Sequence, residues 1–99
     1  MKPYGIPQDI WDNIVRVISS NPKVKAIILF GSRAKGNFQL GSDIDLAIKG
    51  IDLSFDDLLE IRIALDELNL PWEIDLQHYE SISDPAVIEH IDRIGIALL

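Results

Sequence analysis

A chain of 99 residues, 47% of them hydrophobic, carries material for one compact core and is expected to form a single domain over residues 1–99. Its formal charge of −7 and pI near 4.5 argue against direct binding to nucleic acid, which calls for a basic face that displaces phosphate counterions. They suit a basic protein partner better. Cysteine is absent, so disulfides and thiolate metal sites are excluded, and any bound metal must be held by oxygen ligands or by His78 and His90.

The opening "MKPYGIPQDI" lacks the apolar core of a signal peptide, and the longest uninterrupted apolar run, Ala26–Phe30, is far short of the roughly 20 residues that a membrane span needs. A cytoplasmic protein without a membrane segment is expected. Ile10, Trp11, Ile14, Val15 and Ile18 recur at helical spacing and stop at "SSNP", which predicts a first helix over Gln8–Ser19. Residues 24–30 are short, rich in β-branched side chains and almost continuously apolar, as a strand covered on both faces would be, and this strand ends at Gly31. A short helix, "SRAKG", and a second strand, "DIDLAIK", come next. Ser54 with Asp57 makes a capping box, and Phe55, Leu58, Leu59, Arg62, Leu65 and Leu68 trace a long helix to about Leu68, ended by "NLP". "WEIDLQHY" predicts a third strand. Asp84 and Pro85 form the cap and first turn of a last helix through about Ile94, and Gly95 leaves "IALL" unassigned. The fold class is α/β (α+β), with a mixed sheet of three or more strands and helices packed on one face.

Side chains on a strand alternate faces, so Asp43 and Asp45 share one face while Ile44, Leu46 and Ile48 take the core side. In "EIDLQ" the same alternation turns Ile74 and Leu76 to the core and Glu73, Asp75 and Gln77 outward. If the two strands pair as neighbours, three carboxylates converge. Two carboxylates about 6 Å apart repel by roughly 3 kcal/mol at an effective dielectric near 20, and the simplest compensator is an oxygen-seeking divalent cation such as Mg²⁺. An isolated Asp-x-Asp on a strand is also compatible with an ordinary solvated sheet face.

The preceding turn adds a second signal. Gly31 and Ser32 sit where a buried strand turns into a short helix; glycine allows close backbone approach and the serine hydroxyl can donate to a phosphate oxygen. Arg33 and Lys35 are placed to add charge. A P-loop is excluded because Gly-Lys-Ser/Thr is missing, and a calcium loop is excluded because "DIDLAIKGIDLS" lacks the sixth-position glycine and terminal glutamate.

Together, "GSRAKG", "GSDIDLAI" and the later "EIDL" resemble the nucleotidyltransferase fold of the DNA polymerase beta superfamily, over most of the chain. The resemblance is nearest to the minimal nucleotidyltransferases, which pair with a helical HEPN-domain partner as antitoxin and toxin. It implies that Gly31, Ser32 and Arg33 bind the nucleotide and that Asp43, Asp45 and Asp75 are the catalytic carboxylates holding two Mg²⁺ ions. It further implies ATP as donor, with transfer of AMP to a tyrosine on a partner protein, and assembly into homo- or hetero-oligomers. Larger relatives carry an added acceptor-binding domain, and the acceptor here is expected to come from outside. The competing expectation is a non-catalytic antitoxin or binding module that masks its partner sterically. His78 and His90 lack a second histidine at ligand spacing and read as surface or capping residues. Trp11 reads as core, Trp72 as core or partner contact, and Tyr79 as a strand-end residue.

Overall fold

Apolar spacing of about 3.6 residues alternates with period-two spacing along the chain, and the computed structural model, which describes residues 2–99, follows that alternation. The described elements are α1 (Gln8–Ser19), β1 (Ala26–Phe30), α2 (Gly31–Lys35), β2 (Ile44–Lys49), α3 (Phe55–Asp66), β3 (Ile74–His78), α4 (Pro85–Ile94) and β4 (Ile96–Ala97), with single 3₁₀ turns at Pro3–Gly5 and Tyr79–Ser81. The strands form one mixed sheet in the order β3-β2-β1-β4. β1 runs antiparallel to β2 and β4, and β2 runs parallel to β3.

The segment "IALL" resolves into the edge strand β4, which pairs Ile96 with Leu29 and Ala97 with Ile28. Leu98 continues the pairing, its N–H donating to the Ile27 carbonyl at 2.8 Å. Gly95 permits the abrupt entry from α4. A Cβ there would lie 2.3 Å from the Ile91 carbonyl oxygen and 2.5 Å from Ile28 Cγ2, so only a bare Cα fits.

One sheet face carries the main core. Trp11, Ile14 and Ile18 of α1 and Leu58, Ile61 and Leu65 of α3 pack with Ile27, Leu29, Ile44, Leu46, Ile48 and Leu76 of the strands. Helices are not confined to that face, as the sequence pattern suggested. Ile28, Phe30 and Ala47 make an apolar patch on the opposite face, and Val87 and Ile91 of α4 pack there instead. Among the described residues no helix is long and apolar enough to cross a membrane.

The start of α3 is fixed by a reciprocal cap. The Asp57 N–H donates to Ser54 Oγ at 3.1 Å, and the Ser54 N–H donates to the Asp57 carboxylate at 2.9 Å. Lys23 reaches the same carboxylate at 2.9 Å. The Ser54 backbone bond first, and Lys23 next, hold the Asp57 carboxyl well below the usual range. A carboxyl depressed in the folded state contributes stability above its ordinary unfolded pKa and loses it on acidification. Ser54→Ala should therefore lower the unfolding free energy by about 1 kcal/mol, and Asp57→Asn should be destabilising at pH 7 and progressively less so below about pH 4. Urea denaturation of both variants across that range measures each effect.

Candidate active site

The carboxylate face is built by register. Asp45 of β2 lies opposite Phe30 of β1 on one side and opposite Asp75 of β3 on the other. Parallel neighbours in register point to the same face, so Asp45 and Asp75 stand side by side. Asp43 stands just ahead of β2, two residues before Asp45, and the charges of Asp75 and Asp43 both act on Asp45. The three aspartates singled out by the sequence are thus brought together. Asp45 is partly buried while Asp43 and Asp75 are exposed. Gln77, two residues along β3, donates from Nε2 to the Asp75 carboxylate at 3.2 Å.

Gly31 opens the turn against this cluster with φ +73°. A Cβ at that position would fall 2.1 Å from Asp45 Oδ2, so the bare glycine lets the carboxylate lie directly against the backbone of the turn. Ser32 is the next residue, half-buried.

Desolvation raises the Asp45 carboxyl above its ordinary pKa, with the charges of Asp75 and then Asp43 adding to the effect. The charge of His90 works in the opposite direction. None of the described ion pairs engages any of the three aspartates. Among the described residues, no group of three or more His, Cys, Asp or Glu side chains is placed as it stands to hold a metal ion. The group is an open-faced, all-oxygen, uncompensated anionic cluster, and that donor set fits a hard divalent cation such as Mg²⁺.

Arg33 requires a correction. The sequence reading put its charge at the nucleotide, but the side chain is 1% exposed. Its guanidinium donates to the carbonyls of Tyr4, Leu40 and Ser42. Four of its five N–H groups are committed to backbone, so little remains for a phosphate. Trp72 lies over the same guanidinium and donates to Leu40 O at 3.1 Å, which gives that residue a role the sequence left open.

His90 is the residue that sequence reasoning passed over. Its ring meets Phe30 edge-on at 6.2 Å, on the carboxylate face. The available signal was its spacing of three residues from Val87, on the side of α4 that packs against the sheet. His78, by contrast, is structural, bridging the Gly50 carbonyl and Ser81 Oγ at 2.8 and 2.7 Å. Tyr79 donates to Asp92 at 2.7 Å at the end of β3.

A concavity of about 440 Å³ adjoins Asp75, walled by Phe30, Gln77, Ile82, Asp84 and Val87. The larger hollow, about 500 Å³, lies between α3 and β3 around Arg62, Leu65 and Ile74. It contains none of the three aspartates, and the smaller one is the hollow relevant to their chemistry.

The chain has recognisable relatives. Residues 12–99 match the family model described as "Polymerase beta, Nucleotidyltransferase". A candidate protein adenylyltransferase of Methanocaldococcus jannaschii is 31% identical, the match covering 94% of this chain and 95% of the relative. A crystal structure of a toxin–antitoxin with AMP-PNP superposes with a TM-score of 0.75 and 26% identity over 90% of this chain and 72% of that one. A chain in the structure of the tri-AMPylated Shewanella oneidensis HEPN toxin in complex with MNT antitoxin matches in fold, with a TM-score of 0.71 and 24% identity over 93% of this chain and 71% of that one.

Two outcomes follow from the crowded carboxylates. A carboxyl raised in the folded state costs stability once pH passes its ordinary unfolded value, near 4. Asp45→Asn in metal-free buffer should therefore melt above the parent at pH 7, and the gap should close as pH falls toward 4. Gly31→Ala should lose roughly 1–2 kcal/mol from its left-handed backbone alone, and more from displacing Asp45. Thermal melts with a chelator present check both, and an Asp45→Asn protein less stable than the parent at pH 7 would show that the carboxylates do not repel.

Proposed function

The chain belongs to the polymerase beta nucleotidyltransferase family, and from that premise we propose that it moves AMP from ATP, with Mg²⁺, onto a hydroxyl of a helical HEPN-type partner in the cytoplasm, as the antitoxin of a toxin–antitoxin pair. The observation that carries this reading is the Asp45–Asp75 register pair, with the Asp45 carboxylate lying against Gly31. The named relatives support the finer points: one is a candidate protein adenylyltransferase, one was crystallised with an ATP analogue, and one holds an AMPylated HEPN toxin. The net charge of −7 suits a basic docking partner.

In this reading Asp43, Asp45 and Asp75 would hold two Mg²⁺ ions. Such ions would supply activation of the acceptor hydroxyl, stabilisation of the departing pyrophosphate and neutralisation of charge on the transferred group. Gly31 lets the triphosphate approach the backbone, and the Ser32 hydroxyl donates to its outer oxygens. Asp75, exposed and oriented by Gln77, accepts the proton of the acceptor hydroxyl. The acceptor oxygen bonds to the α-phosphorus as the bond to pyrophosphate breaks. The hollow beside Asp75, with Phe30, Ile82 and Val87 as its apolar walls, offers room for the acceptor side chain.

Incubation with α-labelled ATP, Mg²⁺ and the helical protein encoded beside this one should label that partner, and Asp45→Asn should cut the rate at least about a hundredfold. ATP and Mg²⁺ together should raise the melting temperature more than the sum of their separate effects, because they share one site that only the folded state has. A stable complex with no label on the partner would mean that masking, not transfer, is the function.

A further inference from the structure

Burying a guanidinium is costly unless its donors are satisfied, and an arginine is rarely buried without an acid to pair with it. Arg33 is buried with no carboxylate partner among the described ion pairs. Its partners are backbone carbonyls: Tyr4 at 2.9 Å from Nη1, Leu40 at 3.2 Å from Nη2, and Ser42 at 3.2 Å from Nε and 2.8 Å from Nη2. The plane of the group is packed by the rings of Phe38 and Trp72, 5.0 and 5.9 Å from the guanidinium carbon.

The positions of those carbonyls give the side chain its meaning. Arg33 grows from α2 directly after Gly31 and Ser32, and the carbonyl it grips twice, Ser42, belongs to the peptide bond that leads into Asp43. Between them runs loop 36–42, whose own cross-links are short-range: Ser42 N–H to Gln39 O at 3.1 Å and Gln39 N–H to Ser42 Oγ at 2.9 Å. The near end of the loop is bonded to α2 through the Gly36 and Asn37 N–H groups, which donate to the Ser32 carbonyl at 2.9 and 3.2 Å, whereas the Gln39–Ser42 bonds only tighten its far end locally. Arg33 ties that far end, Leu40 and Ser42, back to α2, and its fork geometry fixes the orientation of the 42–43 peptide as well as its distance.

We propose that Arg33 is a positioning residue that sets the Asp43–Asp45 segment relative to the Gly31–Ser32 turn, acting through backbone carbonyls and not through its charge on a phosphate. The proposal rests on the reading of Asp43 and Asp45 as metal ligands. Lysine in its place keeps the charge but offers no planar fork, and so cannot hold Ser42 by two bonds while also reaching Leu40 and Tyr4.

Mn²⁺ alone is the probe, titrated calorimetrically into the parent, Arg33→Lys and Asp45→Asn, alongside amide hydrogen exchange. Arg33→Lys should weaken Mn²⁺ binding about tenfold, the range found when groups that orient metal ligands are changed. Exchange should quicken at the Ser42 and Gln39 amides while Leu29 and Leu46 in the sheet keep the parent's protection. An Arg33→Lys protein that binds Mn²⁺ like the parent, or that exchanges faster everywhere, would overturn the positioning role. Parent protein whose Mn²⁺ binding is indifferent to Asp45→Asn would instead overturn the metal-ligand reading itself. If Arg33→Lys does not fold, Trp72→Phe carries the measurement, since it removes one donor to the Leu40 carbonyl and leaves a ring over the guanidinium. About threefold weaker Mn²⁺ binding then supports the proposal, and unchanged binding overturns it.

Discussion

Because Ile44, Leu46 and Ile48 are fully buried along one face of β2, the strand has no alternative register. A slip of one residue would drive Asp43 and Asp45 into the core and expel three branched side chains. Burying each of those side chains contributes roughly 1.5–3 kcal/mol, whereas neighbouring carboxylates repel by on the order of 1–3 kcal/mol per pair before solvent screening. Burial wins, and the aspartates are held where their mutual repulsion alone would not leave them. The parallel pairing with β3 repeats the constraint, since Leu46 lies opposite Leu76 when Asp45 lies opposite Asp75. One hydrophobic ladder therefore sets the carboxylate ladder on the reverse face.

Much of this was legible in the sequence because it depends on local periodicity. Alternation in "DIDLAIK" and "EIDLQ" gave the facing of Asp43, Asp45 and Asp75, and the capping residues Ser54 and Asp84 marked the starts of α3 and α4 within a residue. What the sequence hid depends on contacts distant along the chain. Residues 96–97 are too few to show a period, and they become a strand only because the edge of β1 is open to them. The side of the sheet that α4 covers is decided by Phe30 and Ala47, more than 35 residues away along the chain. Arg33 misled for the same reason: an arginine after a Gly-Ser turn looks like an anion ligand until the carbonyls of residues 4, 40 and 42 surround it.

Gly31 shows how closely the turn and the strand are fitted. The turn could accommodate a larger residue only by moving the Asp45 carboxylate, and the sheet register prevents that carboxylate from moving far. Turn and carboxylate thus approach each other as nearly as covalent structure allows. This proximity would suit a site that brings a divalent cation and a phosphate chain together, since Mg²⁺ is in general held by carboxylates plus substrate phosphates.

The two sheet faces divide the work between stability and chemistry. α1 and α3 bury nearly the whole of one face, whereas α4 covers only the Phe30–Ala47 region of the other and leaves Asp43 and Asp75 open to solvent. Exposure therefore grades across the cluster: Asp45, nearest the covered region, has its carboxyl raised by burial first and by the charges of Asp75 and Asp43 next. A cation entering from the open side would offset the repulsion that Asp75 and Asp43 exert on Asp45. Because a carboxylate must be ionised to ligate a metal, the raised Asp45 carboxyl opposes cation binding at low pH, and binding strengthens as pH rises. The incomplete cover over this face is thus what allows a destabilising cluster to persist in the folded protein and still be neutralised from outside.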